Sequence, residues 1–294
     1  MNIRYISHKE ETINEFLLEF HLAKAKVYKL IFEKNVLING MVAKGNDLVY
    51  KEDVVEVIVK DEYINRYEDY NYPLDIVYED DEFLVVNKPM NMLIHPDGNR
   101  CDTLVNAVSS YLKKKPVYFP HRLDTTTTGA ILFVKNFLLE SYYNYLFSTH
   151  EVYRSYLAFC EGEVSKMTID KNIGSDRHQN GKMVVAKSGK KAITYVTPIL
   201  TSCEASLVSI RLETGRTHQI RVHLSYVNHP LIGDTLYGRP SKLINRVALH
   251  SHKMEFIHPI TNKKYSFTVP MPEDMLNLKK IFFKSKKENW CLST

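Results

Sequence analysis

The tightest constraint on how this chain can fold is a run of five apolar residues, Ala130-Ile131-Leu132-Phe133-Val134, set between Gly129 and Lys135. The run is strand length, far short of the roughly 20 residues a membrane-spanning helix needs. It therefore predicts a strand inside the core. What leads into it is unusual: Pro120-His121-Arg122-Leu123-Asp124, then four threonines, Thr125 to Thr128. β-Branched side chains do not favour turns, and an Asp followed by hydroxyl residues and Gly commonly caps or turns the backbone. A second reading rests on Arg122, two residues from Asp124, and on the hydrogen-bond donors of the loop. Such surroundings orient a carboxylate and keep it ionised.

Two further stretches carry side chains suited to chemistry. In Val152 to Phe159, strand alternation puts Arg154 and Tyr156 on one face. A ring beside a cation can stack on a nucleobase, at about 1–3 kcal/mol per base. The same pattern also fits a half-buried strand tyrosine, one of 19 in the chain. In Leu212 to Leu224, Gly215 predicts a turn and Thr217 a helix N-cap. Ile220, Leu224 and Val227 then form a buried stripe, with Arg221 one turn past the cap. His218 and His223 are five residues apart, not the four that align two ligands on a helix face, so no metal site is expected.

With 294 residues, one large domain plus a small one, or two medium ones, is the expectation. Thr12-Ile13-Asn14-Glu15 has capping-box form, and Ile13, Phe16, Leu17 and Phe20 give a helical stripe. A second helix is predicted from about Lys24 to Lys34, followed by an Asn39-Gly40 hairpin and a strand over Val54 to Val59. Residues 61–73 read as an acidic, tyrosine-rich linker, and 74–294 as the larger domain. Within it, strands are predicted at Ile76-Val77-Tyr78 and Phe83 to Val86, and helices at Thr103 to Leu112 and Met275 to Lys287. Residues 1–60 hold nine basic and nine acidic side chains, and 61–83 hold nine acids against Arg66. The remainder is therefore strongly basic, consistent with phosphate binding or with a merely soluble surface. Part of that excess lies in a loop, Asp176 to Lys191, which reads as a flexible arm with Arg177 and Lys182 available to phosphate and Gly181 and Gly189 as hinges, or as a solvated hairpin. The four scattered cysteines predict reduced thiols in a cytoplasmic protein, and no stretch reads as a signal peptide or membrane span.

Taken in order, Tyr78 to Pro89, His121 to Gly129, Tyr153 to Leu157, Thr214 to Leu224, His229 to Gly238 and Leu249 to Pro259 resemble the RluA family of pseudouridine synthases. Residues 1–60 resemble the alpha-L RNA-binding domain, with Lys24 and Lys26 where that family usually carries arginines. The resemblance implies an α+β fold, a mixed, mostly antiparallel sheet flanked by helices, behind a small N-terminal α/β unit. It implies that Asp124 is the catalytic carboxylate, Arg221 its ion partner and Tyr156 the ring against the target base, with no cofactor. Arg122 would enter the RNA stack when uridine flips, and His121 and Arg216 would contact RNA. The family usually has serine at the position of Thr128. The implied partner is RNA, ribosomal large-subunit RNA before transfer RNA. A monomer is expected, since the sequence shows no heptad or evident self-complementary face. Competing readings are a non-catalytic RNA-binding assembly factor, which predicts loss of Asp124, Tyr156 or Arg221, and a carboxylate hydrolase, which would want a second acid nearby.

Overall fold

Alternation along the central strands decides the architecture. The computed structural model describes residues 2–58, 60, 67–98, 100–113, 115–258 and 261–283. The N-terminal unit comprises β1 (Asn2–Ile6), β2 (Glu11–Thr12), α1 (Ile13–Leu18), α2 (Lys24–Phe32), β3 (Val36–Ile38), β4 (Met41–Val42), β5 (Leu48–Val49) and β6 (Val54–Ile58). β7 (Ile76–Glu79), β8 (Phe83–Lys88), α3 (Leu104–Tyr111), β9 (Thr128–Val134), α4 (Phe137–Ser148) and β10 (Tyr153–Glu161) follow. The chain continues through β11 (Met167–Asp170), β12 (Ile173–Ser175), β13 (Met183–Val185), β14 (Ile193–Thr201), β15 (Ala205–Leu212) and α5 (Gln219–Tyr226). It closes with β16 (Leu249–Ile257), β17 (Lys264–Thr268) and α6 (Glu273–Phe282).

Nine strands form one sheet, in the order β11-β14-β15-β10-β16-β9-β8-β7 with β17 also on β16. All of its pairings are antiparallel except β9 with β16. The apolar run is β9, buried along its whole length. Its even residues Ala130, Leu132 and Val134 enter one core with α4, while Ile131 and Phe133 enter another with α3. β10 behaves likewise: Tyr156, Ala158 and Cys160 face α5, and Leu157 and Phe159 face α6. A strand with both faces apolar must be covered on both faces, so helices lie on either side of the sheet. Each large side chain so buried contributes about 1.5–3 kcal/mol. Among the described residues no helix is long and apolar enough to cross a membrane.

The N-terminal unit forms as its local signals require. Thr12 and Glu15 make both bonds of the capping box, and Asn39 and Gly40 adopt positive φ between β3 and β4. The second helix stops at Phe32 rather than Lys34, because Lys34 turns left-handed at φ 58°. The four-stranded sheet β1-β6-β3-β4 shares its apolar core with α4 and β9. His21 stacks on Tyr145 with ring centroids 3.5 Å apart, and Asn136 Nδ2 donates to the Tyr5 hydroxyl at 3.3 Å.

Residues 61–66 of the expected linker, and the tail beyond Phe283, lie outside the described residues. The described part of that linker is not free. Tyr67, Tyr70 and Tyr72 pack against the α3 core, the Tyr70 amide donates to Ser110 Oγ, and Asn106 Nδ2 donates to Glu68 O. Tyrosine rings have apolar area to bury, which the acidic composition concealed. Of the two readings of residues 176–191, the hairpin and not the flexible arm is the one found. β12 and β13 pair as an antiparallel hairpin, and Gly189 packs so closely that a Cβ would sit 2.4 Å from Ile173 C.

At the entrance to β9, Gly129 adopts φ +108°, and a Cβ there would lie 2.2 Å from the Ser251 carbonyl oxygen. Backbone crowding of that kind cannot relax through a side-chain rotamer. Gly129→Ala is expected to cost about 3–5 kcal/mol of stability, measured by urea unfolding; a cost near zero would show that β9 and β16 can separate.

Candidate active site

Asp124 sits in the loop between α3 and β9, at the floor of a cleft of about 900 Å³. The loop is pinned from several sides. The Thr127 amide donates to Asp124 O at 3.0 Å, a local turn of the kind the sequence allows. Lys88 Nζ, at the end of β8, donates to Thr125 O and Pro89 O, each at 2.8 Å. Arg246 Nη1 donates to Val247 O, Leu249 O and, at 3.4 Å, Thr126 O, while its other two nitrogens grip Asp274 at 2.6 and 2.9 Å. Thr128 Oγ1 lies 2.9 Å from His250 Nδ1. His250 Nε2 faces the Val269 carbonyl, so it carries the proton and Nδ1 accepts from the threonine. Burial pushes His250 down to about 4 and keeps it neutral.

Arg221, on the first turn of α5, offers Nη1 to Asp124 Oδ2 at 3.2 Å. Its other face is clamped: Nε and Nη2 each donate at 2.8 Å to the two oxygens of Asp234. Asp234 is fully buried and also accepts from the Leu236 and Tyr237 amides. Burial opposes the charge on Arg221, but Asp234 and then Asp124 outweigh it, so its pKa is raised. The pair is bidentate, the geometry in which an arginine–carboxylate contact is strongest. With Nε and Nη2 committed to Asp234, Nη1 is directed at Asp124.

His218 adds a neighbour the sequence reading had set aside. It takes φ 54° at the N-cap of α5, in place of the expected Thr217, and its Nε2 is 3.9 Å from Asp124 Oδ2. Its Nδ1 meets the Tyr237 hydroxyl at 2.9 Å. Burial lowers its pKa, only partly offset by Asp124, so it is a polar neighbour and not an ion partner. Tyr237 also accepts from the Met183 amide at 2.9 Å and lies 5.1 Å from the Arg221 guanidinium carbon. The β12–β13 hairpin is thereby joined to the site. Gln219 holds the preceding turn, accepting from Thr214 Oγ1 and the Arg216 amide.

The three sequence-predicted catalytic residues therefore meet. Tyr156, buried on β10 with its phenol pKa raised by that burial, lines the same cleft as Asp124 and Arg221. Arg122 is exposed at its mouth. Arg216 lines it too, with Nε tied to Lys191 O at 3.0 Å. Lys182 stands 5.8 Å from the Tyr237 ring, Arg177 is exposed beyond it, and Lys24 is exposed on α2.

Two expected RNA contacts lie less open than the sequence suggests, His121 in the cleft wall and Lys26 against α4. His121 is buried, stacked 4.3 Å from Phe147, and its Nε2 accepts from the Leu132 amide. Burial, and then the charge of Arg154, push its pKa down to about 3, so it orients the loop as a neutral ring. Lys26 turns inward, with Nζ 4.5 Å from the Phe137 ring of α4. The sequence reading missed Asp234, Tyr237, Lys88 and Arg246, although all but Arg246 lie in stretches it had singled out.

The chain is similar to known proteins. The RNA pseudouridylate synthase family model matches residues 82–226. The chain is 37% identical over 285 residues to the uncharacterized RNA pseudouridine synthase YlyB of Bacillus subtilis, covering 92% of this chain and 93% of that one. It is 32% identical over 290 residues to ribosomal large subunit pseudouridine synthase D of Vibrio cholerae, covering 92% and 89%. Human RNA Pseudouridylate Synthase Domain Containing 1 superposes with a TM-score of 0.56 at 28% identity, over 67% of this chain and 83% of that one. The fold and motifs define an RNA-modifying isomerase. This chain belongs to the RNA pseudouridylate synthase family and converts uridine in RNA to pseudouridine.

Lys88 ties the site to pH. Burial, then repulsion by Arg246, lower its pKa from 10.5 to about 7, with Asp124 opposing. Between those values the unfolded chain holds a proton that the folded chain has lost, so this residue makes stability rise as pH increases through that window. Lys88→Met is expected to flatten the rise, so that urea midpoints of variant and wild type diverge from pH 7 to 10. Parallel profiles would contradict the assignment.

Proposed function

We propose that this enzyme isomerises specific uridines of large-subunit ribosomal RNA, with Asp124 as the group that acts on a flipped-out nucleotide. The single observation that supports it best is the Asp124–Arg221–Asp234 chain at the floor of a cleft that also holds Tyr156. The likeness to ribosomal large subunit pseudouridine synthase D favours the ribosomal substrate.

The reaction breaks the glycosidic N–C bond, turns the freed uracil and rejoins it through a ring carbon. Arg221 and His218 approach Asp124 Oδ2, which leaves Oδ1 for the reacting nucleotide. A carboxylate there can add as a covalent nucleophile or stabilise positive charge developing on the sugar. Tyr156 keeps the detached base in the cleft by stacking against it. Flipping costs a few kcal/mol of lost stacking and pairing, which Arg122 at the mouth offsets by filling the vacated space. Arg216, Arg177 and Lys182 along one rim, and Lys24 on the N-terminal unit, supply positive charge for the RNA backbone.

The test is pseudouridine mapping in total RNA from cells with and without the protein. Positions lost with the protein should fall in large-subunit ribosomal RNA. Asp124→Asn should bind the same RNA yet leave those positions as uridine. Modification by that variant, or lost positions confined to transfer RNA, would contradict the proposal.

A further inference from the structure

One charged group in the cleft has two buried nitrogens with no hydrogen-bond partner among the described residues. Arg154, on β10, is 7% exposed, and its Nε and Nη2 are buried without a hydrogen-bond partner among the described residues. Its guanidinium carbon lies 5.2 Å from the Phe147 ring, and the side chain lines the same cleft as Asp124 and Tyr156. The contrast with the two other buried arginines is sharp, since Arg221 and Arg246 each hold a carboxylate in a two-pronged grip. Guanidinium nitrogens stripped of water and left without acceptors lower stability, and such groups persist where an occupant completes them.

The surroundings say what that occupant is. His121 and His150 stand close enough for the charge of Arg154 to lower the pKa of both, after burial, so both are neutral rings. They add no negative charge, and their Nδ1 atoms are also buried without a hydrogen-bond partner among the described residues. Glu213, the acid whose charge reaches His150, accepts from the Tyr195 hydroxyl, while Arg216 adds a second positive charge there. Above the guanidinium lies Gly215, where a Cβ would come within 3.3 Å of Nη1. Glycine leaves that side open, and Arg216 follows on the same rim. The site is thus a fork of donors with net positive charge, opening into the cleft, which suits a phosphate oxygen pair better than a neutral carbonyl.

Position along the strand identifies which phosphate. Arg154 and Tyr156 are two residues apart on one face of β10, so their Cα atoms are about 6.7 Å apart. That is close to the span from a pyrimidine ring to the phosphate of its own nucleotide. We propose that Arg154 binds the 5′ phosphodiester of the same uridine whose base lies against Tyr156, so that one nucleotide is held at both ends. This rests on the reading that Tyr156 receives the target base. Arg154 then sets which nucleotide is presented to Asp124 and acts only when the RNA has flipped.

The test combines a protein change with an RNA change. A synthetic stem–loop carrying a mapped target uridine is made with a methylphosphonate, which is uncharged, at the linkage 5′ to that uridine. In single turnover, Arg154→Met should slow conversion about 10–100-fold, the range for hydrogen bonds to a charged group, and the methylphosphonate should slow wild type comparably. In Arg154→Met the methylphosphonate should have almost no further effect, and Arg154→Lys should recover part of the rate. Because Met removes an unpartnered charge, the variant's Tm should equal or exceed that of wild type. A structural role predicts the opposite, a lowered Tm. The assignment is overturned if the methylphosphonate slows both proteins equally, if the coupling appears at the 3′ linkage instead, or if Tm falls while the rate is unchanged. Conversion by an Asp124→Asn control would overturn the reading of the site itself, and this assignment with it.

Discussion

The ion pair between Arg221 and Asp234 is the contact on which the site depends. A buried pair of this kind is not a strong source of stability, because removing both charges from water costs several kcal/mol per ion before the attraction repays it. Its value is geometric. Two parallel bonds lock the guanidinium plane, α5 carries the arginine, and the turn from Gly233 to Gly238 carries the aspartate. Gly233 lets that turn approach: at φ +78°, a Cβ there would meet Arg246 O at 2.2 Å. The third arginine nitrogen is then directed at Asp124 before any substrate arrives, which is preorganisation in the sense that matters for charge stabilisation.

The same economy recurs around the Asp124 loop. Lys88 and Arg246 bind backbone carbonyls of the threonine run, so two cations from β8 and from the segment before β16 shape the loop without touching the Asp124 carboxylate. Of the four threonines that suit a turn so poorly, Thr125, Thr126 and Thr128 are held by groups distant in sequence. Thr128 illustrates the point: its hydroxyl meets His250 while it begins the buried strand β9. The serine usual in the family would preserve that bond, and the extra methyl is accommodated within the sheet.

Much of this was legible in the sequence, and the pattern of success is physical. Local signals read well: the Thr12–Glu15 capping box, the Asn39-Gly40 hairpin and the apolar run of β9 each follow from neighbours in the chain. The pairing of Asp124 with Arg221, 97 residues apart, was reached through family resemblance and not through spacing. Asp234 escaped because an Asp after Gly reads as a turn residue, and it is indeed one, accepting two local amides as well as the arginine. Lys88 and Arg246 escaped because a lysine or arginine in a basic region reads as a surface charge. His121 and Lys26 are more enclosed than their segments suggest. Each sits in a segment that faces RNA in the expected reading, yet the His121 ring is buried in the cleft wall against Phe147 and the Lys26 amine lies over the Phe137 ring of α4.

The central claim is that Asp234 acts on the reaction only through Arg221. A double-mutant cycle in single turnover on a mapped RNA target measures this directly, using Asp234→Asn, Arg221→Lys and the pair. Lysine cannot bridge both carboxylates with a planar fork, so either change alone breaks the chain. The account predicts that the double variant is about as slow as the slower single variant, since one arrangement has been removed once. Rate losses that multiply would show that the two residues act independently, and would contradict it.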